Sequence, residues 1–502
     1  MPEGGIFGGV FSRGGPVADD AAWLRAMLAA ESALARALEQ AGLAAPGAGS
    51  AVTAAAARPG DFDIAELSRS SALTGNPVPG LARALTRLVP DPAAKSAVHK
   101  GATSQDIMDT AAMLLARDAI DAAADSLSGA AAAVARLADA HRGSLMIGRT
   151  LLQQAVPVTF GVVAAGWLAG LAGEHRATIM IGRTLLQQAV PVTFGLVAAG
   201  WLTSMDEARS GLAAVRSQRL AVQFGGAAGT LASLGDDGPR VVALLAEELG
   251  LAQPVLPWHT DRLRIIDVAT SLVRVTAALG KIARDVTLLA QSEIGEVSEG
   301  SGNGAPRDAS SPRRGGSSAM PHKRNPVAAI AILGCTKQAP GLLTTLVACA
   351  EQELQRAAGA WHAEWEPLTA LLRLTGSAAS WAAELMSGLV VDASRMAANL
   401  AATKDLPLAE HVTSLLAGVL GGVQAHDLVA EAGQRAVSAG LPLRDVLLAV
   451  PKLEGRLASA GITPEQIESA LEPAGYLGAA DAFVTAALAA HEALDAQLSK
   501  VG

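Results

Sequence analysis

Aromatic side chains are scarce in this chain: 7 Trp, 7 Phe and a single Tyr among 502 residues. A core cannot then be built around rings and must come from Ala, Leu and Val, which suits close-packed helices. Cysteine is scarcer still. Cys335 and Cys349 are too few for a disulfide framework or a structural zinc site and read as reduced core thiols. Basic charge is in deficit, 39 Lys and Arg against 47 Asp and Glu, so a net charge of −8 disfavours non-specific nucleic-acid binding. Any anionic ligand needs a local basic island. Met1 to Gly15 lacks the continuous apolar stretch of a secretory signal, which leaves the cytoplasm as the expected location. Neither metal nor nucleotide cofactor is expected, because no His, Cys, Asp and Glu cluster has ligand spacing and no Gly-rich loop follows a strand. With 50% hydrophobic and 17% charged residues the chain is too apolar for disorder, and its length argues for about three domains.

What is present is helical periodicity. Asp19-Asp20, followed by Trp23, Met27, Ala30, Leu34 and Leu38 at one-face spacing, predicts an N-capped amphipathic helix ending at Gly42. Further helices are predicted from Asp61 to Ser71, Gly80 to Leu88, Ser104 to His141, Thr203 to Leu220, Arg240 to Leu249, Asp261 to Gln291 and Ala328 to Arg356. The longest can span a bundle. Beyond Pro367 the helices shorten, broken at Gly421-Gly422, between Gly440 and Pro442, and at Pro464. The expectation is an all-α fold with an N-terminal helical domain over 1–111, a central long-helix bundle over 112–366 and a C-terminal helical domain over 367–502.

The segment from Leu145 to Leu168 recurs from Ile179 to Leu202, offset by 34 residues with two changes in 24 positions. Two copies in unrelated flanks read as a tandem duplication, occupying about 141–208, because a solenoid needs more. On one continuous helix the copies would stand about 160° and about 51 Å apart, so they could not serve the same site in one subunit. The second copy leads directly into the helix predicted from Thr203, which favours it as the one at the site. Ala155 to Gly173 is 19 residues without a charge, long enough for a membrane span. Pro157, the Gly and Ala content, Gln153-Gln154 and the lack of a Lys and Arg cluster at either flank favour a buried core helix instead.

Three motifs carry chemistry. From Gly300 to Pro326 runs a Gly, Ser and Pro-rich loop holding Arg307, Arg313, Arg314, Lys323 and Arg324 against one acid, Asp308. It contains Gly316-Ser317-Ser318-Ala319-Met320-Pro321-His322-Lys323-Arg324-Asn325-Pro326, where hydroxyls, loop N–H groups, a cation and an amide could meet a carboxylate. This stretch resembles the GSSxMPxKxNP loop of the fumarase/aspartase superfamily. The second stretch, His99 to Thr110, resembles that superfamily's HxGxTSxD motif. Thr103 and Asp106 have capping-box spacing, so helix N-terminal N–H groups and two hydroxyls would converge where an anion can sit. The third is the repeated Gly-Arg-Thr-Leu-Leu-Gln-Gln, with Arg149 or Arg183, Thr150 or Thr184, and Gln154 or Gln188. In the lyases of purine and arginine metabolism a histidine follows this Arg-Thr. Here Leu151 or Leu185 follows, as in the branch of bacterial cycloisomerases acting on 3-carboxy-cis,cis-muconate. The stretches from Pro257 to Arg262 and from Gly359 to Glu366 also look like that branch, and the resemblance runs from Trp23 to about Leu488.

The resemblance implies a homotetramer with sites shared between subunits, a small tricarboxylate substrate, no cofactor or metal, and no nucleic-acid or membrane partner. It implies Ser317 for proton transfer, with Lys323 supporting its alkoxide and His99 either binding substrate or assisting proton transfer. Substrate contacts would come from Thr103, Ser104, Gln105, Arg183, Thr184, Gln188, Arg149, His259, Arg262, Ser318, Met320 and Asn325. Two alternatives stand beside it: an adenylosuccinate-type lyase, and a helical scaffold inactivated by its own duplication. His141 and His175 read as loop residues, and His411, His426 and His491 as structural or solvated. His362 is either structural or a support to the site.

Overall fold

Asp19 Oδ1 accepts the Ala22 N–H at 2.7 Å and starts the helix Asp20–Gln40, as its place before the first apolar run predicts. Met27, Ala30, Leu34 and Leu38 are buried along the expected face. So are Ala33, Ala35 and Ala37, because alanine lets neighbouring helices approach from more than one side. In this computed structural model the described residues are 6–14, 18–140, 145–150, 153–159, 183–184, 187–188, 194–300, 315–316, 320, 323–449, 461–477 and 479–500. They are mainly helical, and the fold is all-α. Its long helices are Ser104–Ala140, Phe194–Gln218, Leu263–Leu289, Val327–Ala348 and Ala360–Ser387.

Two departures from the sequence expectations have physical causes. The helix expected to reach Arg356 stops at Ala348. Leu354 takes a left-handed backbone, φ +45, and the Arg356 guanidinium ties the chain to the Gly226 carbonyl at 2.6 Å. The first copy of the repeat is not a helix from Ala155. Leu145–Thr150 and Gln153–Thr159 pair antiparallel, with Leu145 opposite Thr159 and Thr150 opposite Gln153. Val156, Val158 and Thr159 favour an extended chain, and Pro157 would cost a helix one hydrogen bond. In the second copy Arg183–Thr184 pairs with Gln187–Gln188 in the equivalent register, and Thr150 bridges to Arg183 in parallel. Both copies therefore pair their Arg-Thr with their Gln-Gln, and the continuous-helix geometry does not apply. The rest of the helix expected to Gly173 lies outside the described residues.

The chain divides into two compact units, each drawn from several stretches. One comprises Met1–Leu127, Ala208–Gly280 and Ala331–Trp381; the other Ser128–Glu207, Lys281–Ile330 and Ala382–Gly502. The first buries Leu81, Leu85, Met113, Val268, Leu272 and Leu371. The second has a C-terminal core of Val412, Leu416, Val429, Leu443, Leu447 and Ile467. It also pairs strands Val297–Glu299 and Leu389–Val391 antiparallel.

Candidate active site

In the first unit, the start of Ser104–Ala140 is built around Asp106, which is 1% exposed. Its Oδ2 accepts the Thr103 N–H at 2.9 Å, one half of the predicted capping box, and the Gly226 N–H at 2.9 Å. Its Oδ1 accepts from Gly225 N at 3.0 Å, Gln223 Nε2 at 3.2 Å and His259 Nε2 at 2.7 Å. Five donors make a buried carboxylate tolerable. Only glycine allows this approach of the chain at 225, where a Cβ would fall 2.7 Å from His259 Cε1.

One helical turn on, Asp109 meets Arg262. The guanidinium donates through Nη1 and Nη2 to Asp109 at 2.8 and 3.0 Å, and through Nε and Nη2 to Glu364 at 3.0 and 2.6 Å. Nη1 also reaches the Trp258 carbonyl at 3.4 Å, and the Trp258 ring lies 5.0 Å from Cζ. Trp361 Nε1 donates to Asp109 at 3.0 Å and Gln352 Nε2 to Glu364 at 2.9 Å. Burial works against the Arg262 cation, but the two carboxylates outweigh it and hold its pKa above the ordinary value. Burial pushes the Glu364 carboxyl up, an effect Arg262 only partly offsets.

Three expected substrate ligands therefore sit inside the protein. Arg262 is 2% exposed with its guanidinium engaged by two acids. Gln105 donates to Asp109 at 3.1 Å and the His259 carbonyl at 2.8 Å, and accepts from Arg356 at 3.0 Å. Buried His259 holds Asp106. Their polar atoms hold the helix start in place, which leaves Thr103 and Ser104 as the half-buried residues it presents. Among the described residues the hydroxyls of Thr103 and Ser104 make no hydrogen bond. His99, at φ +57, stands just before them, with its backbone N–H and Nδ1 on Glu31 at 2.9 and 2.6 Å.

In the second unit, both ends of the serine loop are anchored. Glu299, on the strand before it, accepts the N–H groups of Ala328 and Ala329 at 3.1 and 2.9 Å, capping the helix after it. Inside the loop, the Gly315 carbonyl accepts from Asn325 N at 2.8 Å and Nδ2 at 3.3 Å, and Gly316 bridges to Arg324. Gly315 has φ +72, and a Cβ there would strike the Asn325 carbonyl. Asn325, expected on the substrate, uses an amide N–H to close the loop. Lys323 and Met320 are exposed. Ser317 and Ser318 lie outside the described residues, and Arg149, Arg183, Thr184 and Gln188 sit on the paired strands given above.

Sequence reasoning missed Glu31, Asp109, Gln223, Arg356 and Glu364. The available signal was the Asp106 and Asp109 pair at i, i+3 on one helix, together with Gly225-Gly226 beside Gln223. His362 is exposed, its ring 4.8 Å from Trp365 and 5.1 Å from Trp361. His491 is buried between Asp206 at 3.5 Å and Asp495 at 3.1 Å.

The sequence model of a lyase family matches residues 19–172 and 167–341. The chain is 43% identical over 479 residues to nitrosuccinate lyase of Streptomyces davaonensis, covering 93% of this chain and 90% of that one. It is 41% identical over 468 residues to 3-carboxy-cis,cis-muconate cycloisomerase of Bradyrhizobium diazoefficiens, covering 93% of each. The crystal structure of 3-carboxy-cis,cis-muconate lactonizing enzyme from Pseudomonas putida superimposes with a TM-score of 0.81 at 36% identity, over 98% of this chain and 99% of that one. The chain therefore belongs to this lyase family, within the fumarase/aspartase superfamily.

Proposed function

We propose that the chain is a cycloisomerase interconverting 3-carboxy-cis,cis-muconate and 4-carboxymuconolactone, in the degradation of protocatechuate through the β-ketoadipate pathway. The observation that carries this reading is the leucine after Arg-Thr in both copies, Leu151 and Leu185, on a chain whose cycloisomerase relatives match it nearly end to end. The same leucines count against an adenylosuccinate-type lyase.

In lactonisation one substrate carboxylate oxygen forms the new C–O bond. The double-bond electrons move to the neighbouring carbon and spread onto its carboxylate, and Ser317 delivers its hydroxyl proton there. Ring opening runs in reverse, with the Ser317 alkoxide taking the proton as the C–O bond breaks. Loop N–H groups and Lys323 support that alkoxide. Thr103, Ser104 and one copy of the Arg-Thr-Leu-Leu-Gln-Gln segment bind the carboxylates.

A second reading has its own observation, the 43% identity to nitrosuccinate lyase. It needs the same carboxylate-stabilised carbanion, with nitrite leaving instead of a ring carboxylate. Incubation with each substrate separates the two. Loss of the conjugated-diene absorbance without nitrite release is expected, and the reverse would replace the cycloisomerase by the lyase. Ser317→Ala is expected to lower turnover about a thousandfold with helicity unchanged. Near-wild-type lactonisation by that variant would remove Ser317 from the mechanism.

The working form is a cytoplasmic homotetramer whose sites take residues from different copies of the chain. Buried free thiols at Cys335 and Cys349 suit a reducing compartment. The helix Val327–Ala348 is apolar enough to cross a membrane by length and composition, yet only 33% of its most apolar window is buried in the single chain. Other copies would cover the rest. The second copy of the repeat serves the site, since it runs directly into Phe194–Gln218. A variant lacking residues 143–176 is therefore expected to remain a tetramer by gel filtration and to keep its activity. A dead or monomeric variant would make the first copy integral.

A further inference from the structure

Glu31 lies in the middle of the helix Asp20–Gln40, 0% exposed, between Ala30, Ala33 and Leu34. A buried carboxylate in such surroundings is costly unless a donor or cation meets it. The residue that meets it is His99. Glu31 Oε2 accepts the His99 backbone N–H at 2.9 Å and Oε1 takes Nδ1 at 2.6 Å. The two bonds hold His99 at φ +57, a left-handed conformation that a side chain rarely adopts. A residue needed only for packing at position 31 would be apolar, like its neighbours. The other ring nitrogen, Nε2, has no hydrogen-bond partner among the described residues, and the side chain is 24% exposed. Thr103 and Ser104, whose hydroxyls are also unused, follow four and five residues later.

We propose that Glu31 is a positioning residue: it holds the Nδ1–H edge of His99 inward and so presents Nε2 outward as a cationic donor to one carboxylate of the substrate. The substrate half of this proposal rests on the carboxylate chemistry proposed above, while the Glu31–His99 half does not. Burial works against the imidazolium. The hydrogen bond and charge of Glu31, with the charge of Asp106 from the helix Ser104–Ala140, outweigh burial and raise the His99 pKa above its ordinary value. Lys100, next in the chain, is turned to the Leu43 carbonyl at 2.5 Å.

The test follows the histidine ring signals of the full chain by carbon-13 NMR, with His99 assigned by its loss in His99→Asn. Asparagine tolerates the left-handed backbone. In the wild-type protein His99 is expected to titrate above the ordinary histidine range, and in Glu31→Gln its midpoint should fall by about one pH unit or more. An unchanged midpoint in the folded variant overturns the pairing, whatever the substrate. Should the variant not fold, a wild-type midpoint at or below the ordinary value overturns it alone. With 3-carboxymuconate, KM is expected to rise as pH passes the His99 midpoint, and Glu31→Gln should move that rise down by the same interval while kcat at low pH changes little. A KM profile that stays in place while the NMR midpoint moves overturns the contact with substrate. Absence of turnover by the wild-type chain, with the midpoint shift intact, tells against the cycloisomerase reading and supports the pairing.

Discussion

Arg262 and His99 are both basic, both held by acids in the first unit, and built on opposite plans. Arg262 meets two carboxylates and a carbonyl, with an indole face beside it, so no part of its guanidinium is left for a ligand. His99 gives one ring nitrogen to one carboxylate and keeps the other free among the described residues. The unused donor separates the two, together with a side chain 24% exposed at His99 against 1% at Arg262. Evolution of a binding site requires that some polar atoms go unsatisfied inside the folded chain. The Asp109–Arg262–Glu364 triad shows the other limit, where satisfaction is complete and the reward is position.

The harshest way to break this comparison is Arg262→Met. It leaves Asp109 and Glu364 facing each other in a buried site, and a loss of about 3–5 kcal/mol is expected, read as a lower urea midpoint. The sign of its pH dependence follows from Glu364, whose folded pKa burial already raises. A raised folded pKa gives stability that is present at low pH and lost as pH rises through it. Without Arg262 that rise grows, so the gap between variant and wild type should narrow toward acid pH. A gap below about 1 kcal/mol at neutral pH would mean that the triad is solvated and that Arg262 has donors to spare.

How far the sequence disclosed these plans depended on distance along the chain. The Asp19 cap, the Thr103–Asp106 spacing and the glycine before the serine pair are local, and each appears where its residue type and spacing place it. The triad joins residues 153 and 102 positions apart, and the Glu31–His99 pair spans 68. Neither leaves a periodic signature. Gln105, His259 and Arg262 were visible as polar residues in family-like stretches, but whether they face substrate or the interior is decided by partners elsewhere in the chain. The first five residues of the helix expected from Ala155 are extended for a different reason. An uncharged run fits a buried helix and a buried strand equally well, and the β-branched residues flanking Pro157 were the better guide.

Asp106 lies between the two plans, and Asp106→Asn sharpens the comparison with a smaller effect. The carboxylate accepts from five donors, three on Oδ1 and two on Oδ2. An asparagine of the same shape can satisfy the three only by turning its amide N–H groups toward the N–H groups of Thr103 and Gly226, or the reverse. About 2 kcal/mol of stability should be lost, less than for Arg262 because no charge is left unpaired. The effect on catalysis should exceed that on folding in one respect. Where the amide oxygen faces the three, the Thr103 N–H is released, so the start of the helix that presents Thr103 and Ser104 loosens, and KM should rise more than kcat falls. If denaturation shows the loss and KM does not move, the helix start is a structural cap of the Arg262 kind. If KM rises several-fold, it is part of the site, and the boundary between the two plans runs through Asp106 itself.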